Sequence, residues 1–360
     1  KEKTIQEALN LSNKTYKSIF TNILNMDTSN NQIEHIVISG GGIWGLYAYG
    51  AVKACCESGF INLSNIKSYY GTSVGSIISV ILSLKIDFET VDTYLIKRPW
   101  LNVIQNAMYN PIQILENNGV LHKRFFYSIF EPLLKSLDLD PNLTLQDLYE
   151  YNHTDLYIYT TEMNNYELIE LSHYSHGDWK VVDAVYASCA IPFMFPPFLV
   201  DNKCYLDGGV LLNFPLSKCI DHGVDRNTIL GIAIGNFSKN TTSITETTNI
   251  FNYSFLLFEK IFKKVIFTNE TKEDIKHKIV MDYTDVNNMF EEGGAEGAPV
   301  TILDLFETIA KSQSYRTNII QKGITETKQY LESWGVLENV IKTLDISLNE
   351  VANLNTIDEF

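Results

Sequence analysis

The chain has 360 residues, 45% of them hydrophobic and 20% charged, with 43 acidic against 28 basic side chains for a net charge of −15. This is ordinary globular composition, enough for one large domain or two small ones. The acidic excess argues against a nucleic-acid binder and against overall attraction to anionic membranes, although a local basic patch would still dock.

Five cysteines occur without any CxxC pair or Cys/His spacing that suggests zinc, so they read as free thiols and no metal or cofactor is expected. No stretch of about 18 apolar residues is present to span a bilayer. The opening "KEKTIQEALN" lacks the apolar core of a signal peptide, which gives a cytoplasmic expectation with peripheral membrane contact.

In chain order, Ile5, Leu9, Tyr16, Ile19, Phe20 and Ile23 fall on helical spacing, so residues 1–32 read as a helical extension. "HIVIS" is a short, partly β-branched run, as in a buried parallel strand. A glycine knot follows, Gly40-Gly41-Gly42-Ile43-Trp44-Gly45, and then a helix from about Leu46 to Glu57 that stops at Gly59. "IKSYYGTSVGSIISVILSL" repeats strand, glycine turn and helix, which predicts a parallel α/β sheet. Residues 88–152 read as mostly helical, broken near Pro99 and Pro111. "DLYIYTTEM" and "NYELIELS" read as a hairpin around Asn164-Asn165, and His173 and His176 as solvated loop residues. "KVVDAVYASCA" is a helix, "PFMFPPFLV" extended, "KCYLDGGVLLNFP" a strand entering a turn, and "TILGIAIG" a buried strand. After the polar loop "SKNTTSITETTN" come an amphipathic helix over 251–267, the strand "HKIVMDY", the acidic loop "NNMFEEGGAEGAP" and a long helix to about Trp334.

Two readings of the glycine knot compete. Gly40-x-Gly42-x-x-Gly45 fits a dinucleotide fingerprint, but that site wants an acidic residue about 20 positions on. The corresponding "INLSNIKSYYG" has none, and the second strand ends in a serine turn instead. Gly40, Gly41 and Gly42 fit better as a cradle of backbone N–H groups facing an oxyanion. Gly71-Thr72-Ser73-Val74-Gly75, between strand and helix, has the pattern of a nucleophile elbow that lifts the Ser73 hydroxyl over a helix N-terminus. Asp207, in "YLDGGV", ends a strand ahead of Gly208 and Gly209; it is a base for Ser73 or an Asx turn in a surface loop.

Taken together and in this order, the three motifs resemble the patatin-like phospholipase family, and "AVYASCAIPFMFPP" is similar to its Ala-Ser-x-Ala-x-Pro stretch. The resemblance implies a single α/β domain with a mostly parallel central sheet flanked by helices. Its core would span 33–235, and 236–360 would complete the same domain with a helix, a strand and a long terminal helix. It also implies calcium-independent hydrolysis of lipid acyl esters. Ser73 and Asp207 would be the catalytic dyad and Gly40, Gly41 and Gly42 the oxyanion loop, with Gly45, Gly71, Gly75, Gly208 and Gly209 supporting the motifs. Trp44 stands where the family usually carries Arg or Lys, which removes a cation from the oxyanion loop. Two alternatives are an esterase with a Ser-His-Asp triad, using His222 or His277, and a lipid-binding member of the fold without turnover. For lipid access, Phe251, Phe255, Phe258, Phe262 and Ile266 form one helix face, with Lys260, Lys263 and Lys264 largely away from it. That face either packs on the sheet or lies in a membrane interface.

Overall fold

In a computed structural model the described residues are 32–234, 244–246, 248, 250, 253–254, 256–258, 260–261, 264, 273–281 and 302–355, without side chains over 302–305 and 336–355. The helix expected over 4–25 and the acidic loop after the last strand lie outside them. Two compact units emerge, one running from Ile33 to Lys328 and the other combining Lys1–Gln32 with Gln329–Phe360.

The apolar runs become strands: β1 (His35–Ile38), β2 (Ser68–Thr72), β3 (Asp155–Glu162), β4 (Glu167–Leu171), β5 (Phe198–Val200), β6 (Lys203–Asp207), β7 (Ile229–Ile234) and β8 (His277–Met281). They build one eight-stranded sheet in which β3, β2, β1, β7 and β8 run parallel, while β4, β5 and β6 pair antiparallel. Strands β1, β2 and β7 are buried almost throughout, which is why they read as continuous apolar runs rather than alternating ones.

The register around β3 places the site. β4 pairs with Ile158 to Glu162, β2 with Asp155 to Tyr159, and β6 with Thr160 to Glu162. One edge of a strand takes one partner at each position, so β4 has one edge of β3 to itself. β2 and β6 therefore share the other edge, end to end. Thr72 sits opposite Tyr159 and Asp207 opposite the next residue, Thr160, so the two strands point at each other across one residue step.

The helices are α1 (Gly45–Glu57), α2 (Val74–Ser83), α3 (Phe88–Lys97), α4 (Trp100–Ala107), α5 (Pro111–Asn117), α6 (Arg124–Ser136), α7 (Leu145–Asn152), α8 (His173–His176), α9 (Val181–Cys189), α10 (Leu216–Asp221), α11 (Ile302–Lys311) and α12 (Gln313–Asn355). Helices α1 and α9 each pack on α2, and all three pack on the strands. On the face defined by Val37, Tyr70, Tyr157 and Tyr159, the chain from Leu212 to Cys219 closes a second apolar cluster. Pro99 and Pro111 mark helix starts, as expected of residues without an N–H to donate. Two details differ from the sequence expectation. The terminal helix is interrupted at Ser312, whose Oγ caps the N–H of Tyr315, and it then runs on past Gly335 to Asn355. His173 and His176 bound a helical turn, with His173 stacked face to face on Tyr149 at 3.8 Å.

Candidate active site

The elbow is a strained turn held by side chains from distant parts of the chain. Ser73 has φ 53 and ψ −128, a conformation costly for an L residue. Its N–H donates to Ser188 Oγ at 2.8 Å, and Ser188 Oγ in turn donates to the Tyr159 carbonyl at 2.6 Å. The Ser73 carbonyl accepts from Ser76 Oγ at 2.6 Å. Gly75 lies so close to β1 that a Cβ there would drive into the carbonyl oxygens of Ile38 and Ser39, and one on Gly71 would meet the Gly75 backbone. The two glycines around Ser73 are thus required by close approach.

Across the junction of β2 and β6, Ser73 Oγ donates to Asp207 Oδ2 at 2.6 Å. Asp207 Oδ1 accepts from Gly209 N at 2.8 Å, and the Asp207 N–H donates to the Ala190 carbonyl at 3.1 Å. A Cβ on Gly208 would strike the Tyr159 carbonyl, so only glycine allows the loop to turn there. Ser73 is 5% exposed and Asp207 1%. Burial pushes the Asp207 carboxyl up to about 7, against the opposing pull of its bonds from Ser73 and Gly209.

The glycine knot closes the third side. The Gly40 N–H donates to the Asn213 carbonyl at 2.9 Å, and Asn213 Nδ2 returns a bond to Gly40 O at 3.3 Å. A Cβ built on Gly40 would stand 3.2 Å from Ser73 Cβ. Gly40 thus fixes the loop beside Ser73 with its amide already engaged. The amides of Gly41 and Gly42 have no hydrogen-bond partner among the described residues. Gly42 has φ +59, and a Cβ on Gly45 would collide with the Val74 side chain, the first residue of α2. Trp44 is buried at 1% exposure, so this side chain is part of the core.

The histidines are occupied away from Ser73 and Asp207. His222 Nδ1 lies 3.0 Å from Tyr70 Oη and its Nε2 3.3 Å from Glu170. The His277 ring meets Phe60 edge-on, and burial pulls its pKa down to about 4. His35 Nδ1 pairs with Ser68 Oγ. None of these partners is Ser73 or Asp207. In the helix expected over 251–267, Leu256 is buried, Leu257 and Ile261 are exposed, and the Phe258 ring lies 5.8 Å from that of Phe193; Phe251, Phe255, Phe262, Lys263 and Ile266 lie outside the described residues. Sequence reading assigned no role to Ser188, Ala190 or Asn213. The only signal for the first two was the stretch containing Ala187-Ser188-Cys189-Ala190.

The family profile for patatin-like phospholipase matches residues 36–220, more than half of the chain. An uncharacterised protein of Acanthamoeba polyphaga mimivirus is 26% identical over 219 residues, covering 61% of this chain and 71% of its own. A protein of Invertebrate iridescent virus 6 named probable lipid hydrolase 463L is 21% identical over 291 residues, covering 79% and 91%. Among solved structures, VipD of Legionella pneumophila aligns at a TM-score of 0.45 with 18% identity, over 84% of this chain and 67% of its own.

Proposed function

The chain belongs to the patatin-like phospholipase family, and from that premise we propose that it is a lipid acyl hydrolase working through a dyad of Ser73 and Asp207. The observation that carries the reading is the 2.6 Å bond from Ser73 Oγ to Asp207 Oδ2 inside a buried junction of two strands. The name of the iridescent-virus relative agrees with it.

In this reading Asp207 takes the Ser73 proton as Oγ attacks the ester carbonyl carbon. The carbonyl oxygen becomes an oxyanion facing the amides of Gly41 and Gly42 and the first amide of α2, Val74 N–H, which has no acceptor within its own helix. Collapse expels the alcohol, which leaves with the proton from Asp207, and an acyl ester remains on Ser73. Water then gives its proton to Asp207 and its oxygen to the acyl carbon, releasing the fatty acid and restoring the Ser73 hydroxyl. A free Asp at about 4 is too weak a base for this step. Burial brings Asp207 to about 7, near the range in which a general base works well.

A fluorophosphonate probe tests the reading: peptide mapping should place the adduct on Ser73, and Ser73→Ala should release no fatty acid from a mixed phospholipid substrate. Equal release by Ser73→Ala and wild type would defeat it. Substituting His222 and His277 singly should leave turnover intact, because neither touches the dyad.

A further inference from the structure

Residues Ala107 to His122 form a finger whose apolar tip is exposed. Its stem is a pair of antiparallel legs: Met108 bridges Leu121, Tyr109 N donates to Val120 O at 2.9 Å, and His122 N donates to Ala107 O at 2.7 Å. The tip is α5. Short helices normally gain their stability by burying an apolar face. This one buries none of its seven residues. Local capping holds it instead. Asn110 Oδ1 accepts from Ile112 N and Gln113 N, Gln113 Oε1 accepts from Asn110 N, Pro111 opens the first turn, and Asn118 ends the helix in the left-handed conformation. Ile112 and Leu115, three positions apart and so on one side, are 69% and 63% exposed.

The finger is tied to the catalytic turns. The stem amides of Val120 and Leu121 donate to the carbonyls of Phe193 and Met194. That loop continues directly from Ala190, whose carbonyl accepts the Asp207 N–H. Met108 and Phe193, each nearly half exposed, extend the apolar surface from the tip toward that loop.

We propose that this finger is a membrane-docking element that inserts Ile112 and Leu115 into the surface of a zwitterionic phospholipid bilayer. The choice of a lipid partner rests on the lipid-hydrolase reading. The choice of a neutral surface rests on charge. Between Met108 and Leu121 the only charged side chain is Glu116, and the whole chain carries −15, so the finger itself offers no cation to anionic head groups. Four apolar side chains fall well short of the roughly 20–30 residues a side of a standard protein interface, which disfavours a second copy of the chain.

The test uses the full chain and sucrose-loaded phosphatidylcholine vesicles. Wild type should sediment with them, and Ile112→Asp/Leu115→Asp should bind at least about tenfold more weakly, since both side chains leave the apolar phase. Hydrolysis of a monomeric short-chain ester should be equal in the two proteins, which also shows that the variant folds. In Leu115→Trp the new indole emission should shift to the blue on adding vesicles and be quenched by brominated lipid. Vesicle binding unchanged by the double substitution would overturn the proposal, as would a Leu115→Trp emission that ignores vesicles. Wild type that is a dimer, with a double variant that is a monomer, would assign the surface to a second copy and overturn it too. Loss of vesicle binding in the variant together with a blue-shifted, quenchable Leu115→Trp emission, with no ester hydrolysis by either protein, would support the docking element and count against the hydrolase reading alone.

Discussion

Ser73 occupies a backbone conformation that few side-chain-bearing residues tolerate, and Ser188 is the neighbour that holds it there. Its hydroxyl receives the Ser73 N–H and passes its own hydrogen to the Tyr159 carbonyl, tying the elbow to the strand that also carries β6. Ser188→Ala leaves that amide and carbonyl buried without their partner. We expect kcat for a monomeric ester to fall by about 10–100-fold with KM nearly unchanged, a loss typical of a misplaced reacting group. Ser188→Thr, which keeps the hydroxyl, should recover part of it; a KM change alone would rule out the positioning role. Asp207 predicts a pH dependence. In the proposed mechanism this base must be ionised, so kcat/KM should rise with pH through about 7 and then level off. For stability the sign is opposite. A carboxyl whose pKa is higher folded than unfolded favours the folded state when protonated. That contribution is full below about 4 and is lost as pH rises through about 7. Asp207→Asn should therefore be more stable than wild type at pH 8, by at most about 4 kcal/mol, and lose that advantage near pH 4 in urea unfolding. Ser73 and Asp207 were legible because each sits in a turn whose glycines are adjacent in sequence. Ser188 and Asn213 were not, because they lie 115 positions from Ser73 and 173 from Gly40; the stretch around Ser188 resembled a family motif without naming its partner, and nothing beside Asn213 marked one.

At the scale of elements, the two strand–turn–helix units and the buried strands were plain from their apolar runs. The meeting of β2 and β6 was not, because period-two patterning fixes which face a strand buries and not which neighbour it pairs with. Asp207 comes to Ser73 only because β6 returns antiparallel along the part of β3 that β2 leaves open. The interruption at Ser312 was equally silent in the periodicity, since α11 and α12 are both apolar on helical spacing. The side chain that joins the ends of helices there is Arg316, buried at 3% exposure. Its guanidinium donates to the carbonyls of Ile309 and Ala310 near the end of α11, and to those of Ile96 and Arg98 at the end of α3. Four carbonyls at two helix ends thus depend on one planar, multiply donating group. Arg316→Met should destabilise by about 2–4 kcal/mol in urea unfolding. Arg316→Lys should recover less than half, because an ammonium lacks the fork to reach both helix ends.

At the scale of the whole molecule, the acidic excess shapes how an interfacial enzyme would meet its substrate. Composition alone made that legible, whereas the exposed finger was not: the apolar residues of "PIQILEN" look the same in sequence whether they face a core or a membrane. A chain of −15 is repelled by an anionic surface over about a Debye length, roughly 10 Å at 0.1 M salt and about 20 Å at 0.02 M. Docking by apolar insertion gains nothing from that surface to offset the repulsion. Release of fatty acid from phosphatidylcholine vesicles should therefore drop as phosphatidylglycerol is mixed in, by at least about threefold at low salt, and return as salt rises to about 0.5 M. The same salt change should leave the monomeric ester rate unaltered, because the proposed dyad, Ser73 and Asp207, is buried. Faster hydrolysis on anionic vesicles would show instead that a local basic patch, not the apolar finger, brings the protein to lipid.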